Sequence, residues 1–415
     1  MTTLADTVPR DHVFTFSYET YNDAVVRGMM RPPDRILQTL MASPRVGRLL
    51  VANPYRSLAS AVSRRLSGAQ AVFPETERQR LVQPLRVARS DSTSPRRLIG
   101  ALRSYDSVLR KSAVSMGLNA PCVITTNPIV AAFAPFAWAS TVTYFGRDDW
   151  LSAEDRSAYW PAYRAAYQQI RESEVGVVAV SQEIIDRIDP RGPAAVVPNG
   201  VDPGEWTGAV PCAPEWLAAI PEPRAIYVGT LDSRLDTEGL ATLAAERPNL
   251  SIVLLGPAGD SAAIDGVRGM PNVYIHGGVG RAELVAALRN SQLSLLAHRR
   301  TPLTEAMSPL KVYEYLAAGL PVVSIDLPPV RRLEDDRVIF ADSTAEMADA
   351  VDSALRMGPS SEATRVAWLQ QNSWTARHQT ILDMSTRDRM FHRRDDSFPL
   401  SEQCPPHGDV TAPAP

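Results

Sequence analysis

The sequence predicts two doubly wound α/β domains facing each other across a cleft. Three observations carry that expectation. The chain has 415 residues, more than one hydrophobic core usually encloses and enough for two domains of roughly 150 to 200 residues each. Short, continuous apolar runs closed by turn residues alternate with helical stretches, as in parallel sheets covered on both faces. A second series of the same kind begins after Asn199-Gly200 and the proline-rich stretch 203–223. Open parallel sheets bind ligands at the carboxyl ends of their strands, so the cleft is the default site.

In the first domain, 1–202, the runs at 12–17 (HVFTFS) and 46–52 (VGRLLVA) read as strands with a helix from Ala24 between them. Further strands are expected at 122–126, 141–145, 175–181 and 194–198. The stretch 112–146 contains no charge, but Pro121, Pro128 and Pro135 cut it into pieces too short to cross about 30 Å of hydrocarbon. It reads as buried strands and loops. Residues 90–97 (SDSTSPRR) read as a mobile surface loop. In the second domain, 203–372, strands are expected at 225–228, 251–255, 273–276, 293–297 and 322–325, with helices at 237–246, 281–290, 309–318 and 344–357. The tail 392–415 is polar and proline-rich and is expected to be disordered.

Composition excludes several classes. Apolar residues make up 45% and charged residues 21%, ordinary globular usage rather than collagen-like, coiled-coil or disordered. Cys122, Cys212 and Cys404 lie far apart with no C-x-x-C spacing, which excludes a zinc knuckle or a local disulfide framework and fits a reducing cytoplasm. The start, MTTLADTVPRDHV, lacks the basic and apolar regions of a secretory signal. A net charge of -3 argues against nucleic acid as a partner. The charge is uneven, with 17 basic and five acidic residues between Arg27 and Lys111, a basic surface on the first domain. Only Lys111 and Lys311 are lysines.

No G-x-G-x-x-G follows the first strand of either domain, which disfavours a dinucleotide oxidoreductase, and no G-x-x-x-x-G-K-[ST] is present. H-E-x-x-H, G-x-S-x-G and clustered metal ligands are also missing from the sequence, so no metal site is expected. The G-G-V-G at 277–280 reads as an ordinary strand-to-helix turn.

The informative segment is 308–323, SPLKVYEYLAAGLPVV. Ser308 suits an N-cap, Pro309 the first helical position, Gly319 the stop and Pro321 the position beyond it. Free amides near Leu310 and Lys311, the helix dipole and the Lys311 charge would together attract a diphosphate. Glu314, one turn on, is placed to accept hydrogen bonds from the ribose hydroxyls of a nucleotide. The plainer reading is an amphipathic helix with a solvated Lys and Glu.

This segment resembles the donor-binding signature of glycosyltransferases of the GT-B architecture, in which two Rossmann-like domains face a cleft, and in particular the retaining family-four group of bacterial polysaccharide and cell-surface enzymes. V-V-P-N-G-V-D at 196–202, A-I-Y-V-G-T-L at 225–231, N-V-Y-I-H-G-G at 272–278 and N-S-W at 372–374 agree with it, so the resemblance spans about 175–390; Y-F-G-R-D-D-W at 144–150 and A-V-S-Q-E at 179–183 extend it more weakly. It implies that Gly229 and Thr230 form the glycine turn at the diphosphate, that His276, at the strand end that holds the base, touches the base through its backbone or else is a structural histidine, and that residues 373–391 form a helix returning to the first domain. Arg234 is the one basic candidate for the family's diphosphate clamp, or else a solvated loop residue. Asp149, with Asp148, orients an acceptor hydroxyl or caps the following helix. Ala306 stands where the first of the family's paired glutamates is usual, with Glu305 one residue off register.

The resemblance implies a metal-independent, retaining hexosyltransferase that uses a nucleoside diphosphate sugar as donor substrate and needs no cofactor, with Lys311 stabilising the leaving diphosphate. The acceptor would be a glycan, a lipid-linked sugar or a small molecule, met in the cytoplasm or through peripheral contact with the inner face of the cell membrane. A sugar-nucleotide epimerase on the same fold and a non-catalytic partner protein are the alternatives.

Overall fold

The computed structural model describes residues 8–59, 71–87, 94–258 and 264–387. Two parallel sheets dominate it. The first contains β1 (Arg10–Thr15), β2 (Val46–Ala52), β3 (Gln79–Val82), β4 (Cys122–Thr125), β5 (Thr141–Gly146), β6 (Gly176–Ala179) and β7 (Ala194–Val196) in the order β3-β2-β1-β4-β5-β6-β7. The second contains β8 (Arg224–Val228), β9 (Ser251–Leu255), β10 (Val273–His276), β11 (Leu293–Leu296), β12 (Val322–Ile325) and β13 (Val338–Ala341) in the order β10-β9-β8-β11-β12-β13. The strand order therefore reverses between β1 and β4 and again between β8 and β11. These are the two points where doubly wound sheets open a crevice at their carboxyl edge.

Continuous apolar strands are buried along their whole length, as in Cys122–Thr125, Gly176–Ala179 and Ser251–Leu255. Each buried Val, Leu or Ile contributes about 1.5 to 3 kcal/mol before conformational entropy is set against it. The charge-free stretch 112–146 supplies β4 and β5, as expected. The strands β3 and β13 were not expected. They lie at sheet edges, and their burial is incomplete, with patterns that mix exposed or half-buried positions among the apolar ones. Residues 90–93 lie outside the described ones, and the surface loop expected across 90–97 is corrected at its end, where the helix Pro95–Ser115 begins, with Pro at its start. The expected disordered tail, 392–415, also lies outside the described residues.

Two core clusters match the two sheets, and the helix Trp374–Thr386 inserts Ile381, Leu382 and Met384 into the first. The chain crosses between sheets twice, and the crossings are zipped together: Val201 N donates to Asn372 O (3.0 Å) and Trp374 N to Val201 O (2.9 Å). Among the described residues no helix is long and apolar enough to cross a membrane.

Candidate active site at the carboxyl end of β8

The helix Leu310–Ala318 is held against the end of β8 by Tyr315, whose buried hydroxyl accepts a hydrogen bond from Val228 N (2.8 Å). Gly319 ends the helix with φ +87°, a conformation in which a Cβ is unfavourable. This docking carries Lys311 to the point where the strand order reverses. Its Nζ lies 2.7 Å from the Tyr227 hydroxyl, 3.1 Å from His298 Nε2 and 3.9 Å from the centre of the Tyr227 ring.

Gly229 leaves β8 with φ +140°, and a Cβ there would stand 2.8 Å from Lys311 Nζ. Gly256, after β9, has φ +151°, and a Cβ there would stand 2.1 Å from Gly229 O. Two glycines thus let two strand ends and a lysine meet. Thr230 follows on the exposed side of the turn.

Arg234, partly exposed in the turn after β8, is held in place rather than loose. The segment after β8 pairs with the end of β11, with Asp236 N donating to Ala297 O (3.0 Å) and Arg299 N to Arg234 O (2.8 Å). The Arg234 guanidinium is gripped by Asp232, with Nη2 to Oδ2 at 2.6 Å. Its charge is felt at Lys311, at His298 and, across the cleft, by Asp148.

The electrostatics follow from enclosure. Burial pushes the Lys311 ammonium down to about 7, and Arg234 pushes the same way, while Asp232 and Glu314 oppose them. Burial, aided by the charges of Lys311 and Arg234, holds His298 well below the ordinary histidine range, so its ring is neutral. An anion placed here would meet a poorly hydrated lysine, worth more than one in water.

Ser308 does not cap the helix. Pro309 takes the N-cap position without a side-chain hydrogen bond, and Ser308 Oγ turns inward to the Tyr313 hydroxyl (3.3 Å) while its carbonyl accepts from Asn199 Nδ2 (2.8 Å). The amides of Leu310 and Lys311 are accordingly not occupied by a serine hydroxyl.

Glu314 lies one turn further along, where burial pushes its carboxyl up against the opposing charge of Arg281. It is paired with Arg281, which also binds Glu205 (2.6 Å), itself held by Arg35 of the first domain (2.9 Å). His276 stacks on Trp216 with ring centres 4.1 Å apart, and its Nδ1 lies 3.1 Å from Gly277 O. One face of that ring is therefore covered by protein.

Asp149 is corrected by its burial. It is 1% exposed, accepts from Leu151 N (3.2 Å) and from Ser152 Oγ, and lies 3.3 Å from Arg187 Nη2. A carboxylate so enclosed caps the turn and cannot orient an acceptor. Asp148, 40% exposed and 3.0 Å from Arg147 Nε, is the carboxylate on the cleft side. Ala306 is buried, and its carbonyl accepts from Ser181 Oγ of the first domain (2.7 Å), so a main-chain contact between domains occupies the neighbourhood of the usual glutamate.

Sequence reasoning missed Tyr227, His298, Asp232, Gly256 and Arg281. His298 had a detectable signal, a lone histidine just after the strand 293–296 that flanks the crevice. The others lie in segments whose pairing only the fold reveals.

Residues 222–357 match the family model described as "Glycosyl transferases group 1". A stretch of 111 residues, 26% of the chain, is 27% identical to TuaH of Bacillus subtilis (strain 168), named as a teichuronic acid biosynthesis glycosyltransferase, and spans 28% of that protein's length. In fold, the chain is similar to OtsA (TM-score 0.61, 15% identity, 91% of this chain and 99% of that one). It is also similar to an alpha,alpha-trehalose 6-phosphate synthase from Burkholderia multivorans (TM-score 0.60, 14% identity, 91% and 98%). A third similar structure is WaaG, a glycosyltransferase involved in lipopolysaccharide biosynthesis (TM-score 0.52, 17% identity, 90% and 97%). The fold is thus of the GT-B architecture, and residues 222–357 are similar to the group 1 glycosyltransferases.

Proposed function

We propose that the chain is a retaining hexosyltransferase that moves a sugar from a nucleoside diphosphate sugar to an acceptor held by the first domain, in the assembly of a cell-surface polysaccharide or glycoconjugate. The observation that carries the reading is the enclosed Lys311 ammonium between Gly229, Tyr227 and His298 at the strand-order reversal. As the glycosidic bond breaks, negative charge grows on the leaving diphosphate. Lys311 and the amides at the start of its helix stabilise that charge most when it is greatest. This demand is met without a metal, and front-side substitution of the kind the resemblance implies requires no protein nucleophile. The matched stretch of TuaH supports the polysaccharide reading.

The direct test is to screen UDP-, GDP-, ADP- and dTDP-hexoses for binding and slow hydrolysis. Hydrolysis of one donor supports transfer, whereas an epimer formed without acceptor identifies an epimerase. Binding of no nucleoside diphosphate identifies a non-catalytic partner, the alternative favoured by Ala306.

Glu314 is assigned to the ribose. Glu314→Ala is expected to weaken nucleoside diphosphate binding by about 1.5 to 3 kcal/mol, the worth of a charge-assisted contact, in calorimetry, and to weaken inorganic pyrophosphate far less. Equal loss for both ligands would place Glu314 elsewhere.

The basic segment between Arg27 and Lys111 is expected to favour anionic membranes at low salt, at about 1 kcal/mol per basic residue near the surface. Cosedimentation with anionic vesicles is expected to fall steeply with salt, because the attraction decays over about 8 Å at physiological ionic strength. Equal, negligible binding to anionic and neutral vesicles would remove membrane contact from the account.

A further inference from the structure

The helix Arg281–Arg289 follows β10 through the turn from Gly277 to Gly280, and its first residue is an arginine. A cation there meets the positive end of the helix dipole, which costs the helix stability. Glu283, in the same turn, is the residue that suits the dipole, and it accepts from Trp216 Nε1 (2.7 Å). Arg281 is therefore placed for what it touches outside its own helix.

Its guanidinium joins segments distant in sequence. Nη1 donates to Glu314 Oε1, on the helix Leu310–Ala318. Nε and Nη2 both donate to Glu205 Oε2, at 2.9 and 2.6 Å, in the short helix Pro203–Trp206 that follows the first crossing between the sheets. The group also lies over the buried Trp206 ring, 5.3 Å from its centre. Stacked on an aromatic and forked to two carboxylates, a guanidinium has little freedom to turn.

Glu205 is fixed in turn. Its Oε1 accepts from Arg35 Nη2 (2.9 Å), on the helix Pro32–Ala42 of the first domain, and Arg35 Nη1 also reaches Asp202 (3.4 Å). Opposite charges thus alternate from Glu314 through Arg281 and Glu205 to Arg35. None of the four side chains is more than 25% exposed, so salt screens their attraction little.

The consequence falls on Glu314. Arg281 occupies Oε1, and among the described residues Oε2 has no hydrogen-bond or ion-pair partner. The charged groups that reach this carboxyl are Arg281, Glu205 and Lys311: burial pushes it up, Arg281 opposes that most, Lys311 opposes it less, and Glu205 adds to it. A hydroxyl donates more strongly to a carboxylate than to a neutral acid, so both the direction and the charge of Glu314 matter.

We propose that Arg281 is a positioning residue for the donor nucleotide: by fixing one oxygen of Glu314 it presents the other to the ribose hydroxyls, and its anchorage through Glu205 ties that carboxylate to the first domain. This rests on the assignment of Glu314 to the ribose.

Calorimetry on the full chain, with whichever of UDP, GDP and ADP binds most tightly, beside its 2′-deoxy form and inorganic pyrophosphate, tests the proposal. The wild type is expected to prefer the ribose form about tenfold over the deoxy form. Arg281→Met is expected to lose most of that preference, binding the ribose form about tenfold more weakly while the deoxy form and pyrophosphate weaken less than about threefold. The loss is expected to deepen as pH falls from about 8 to about 5.5, because without Arg281 the buried Glu314 is protonated more readily. The ratio of wild-type to variant affinity isolates this effect, since Lys311 and the ligand phosphates titrate in both proteins. Arg281→Lys, which keeps the charge, is expected to restore the wild-type pH profile. In a Glu314→Gln background, Arg281→Met is expected to change the ribose preference no further.

Melting temperatures report folding, and Arg281→Gln carries the same expectations should the methionine variant fail to fold. A purely structural arginine would weaken all three ligands alike at every pH, and that result overturns the proposal. So does a Glu314→Ala variant that loses the ribose preference beside a folded Arg281→Met that keeps it. A wild type without ribose preference, or a Glu314→Ala variant that retains it, removes the ribose assignment and the proposal with it.

Discussion

Lys311→Ala is expected to abolish most nucleoside diphosphate affinity and turnover while leaving the free protein at least as stable as the wild type. The first effect follows from losing the charge-assisted contact, about 1.5 to 3 kcal/mol or roughly ten- to a hundredfold in affinity. The second follows from enclosure. The Lys311 ammonium falls from its ordinary value of 10.5 to about 7, so the folded state disfavours the charged form. Between those two values the unfolded chain binds more protons than the folded one, and the lysine's contribution to stability rises with pH. Below about 7 both states are protonated and the full penalty is present, so removing the charge relieves it. Lys311→Met, which keeps the apolar stem, is the cleaner variant for melting. A lower melting temperature in both variants at neutral pH would mean that the lysine holds the fold rather than awaiting an anion.

Gly256→Ala is expected to be among the most damaging single substitutions in the second domain. Its new methyl would stand 2.1 Å from Gly229 O, a main-chain atom that cannot swing aside, and its backbone has φ +151°. The ends of β8 and β9 must separate, which breaks the hydrogen bond from Gly229 N to Leu255 O (3.0 Å) and displaces the turn that faces Lys311. Strained backbone and overpacking each cost about 1 to 3 kcal/mol. A loss of about 3 kcal/mol or more in urea unfolding is expected, with nucleoside diphosphate affinity lost in whatever remains folded. Wild-type unfolding and affinity would show that the two turns do not need their close approach.

Much of the architecture was legible because it rests on local chemistry. The buried parallel strands 251–255 and 322–325 are continuous apolar runs, and their bounds follow from the turn residues beside them. The helix Leu310–Ala318 was framed by Pro309 and Gly319, and Lys311 drew attention as one of two lysines. What surrounds Lys311 was not legible. Tyr227 alternates within a strand like any buried aromatic, and His298 lies 71 residues further on, just past a strand that pairs with β8 only in the folded sheet. Asp149 misled because adjacent acidic residues give no sign of which one turns inward; burial against Ser152 and Arg187 decides it. Ser308 misled for a similar reason, since the good capping residue turned to the Tyr313 hydroxyl rather than to the free amides at the start of the helix.

The central claim is that Lys311 receives the diphosphate as a charged group recruited by the ligand. Calorimetric titration with the preferred nucleoside diphosphate, repeated in buffers of different ionisation enthalpy from about pH 6 to about pH 9, tests it most directly. With a free-state value of about 7, binding is expected to take up a fraction of a proton near neutrality that approaches one at higher pH. Affinity should fall by up to about tenfold per pH unit above pH 7, and Lys311→Met should remove both effects. Tight binding without proton uptake, or a pH dependence that persists unchanged in Lys311→Met, would contradict the account.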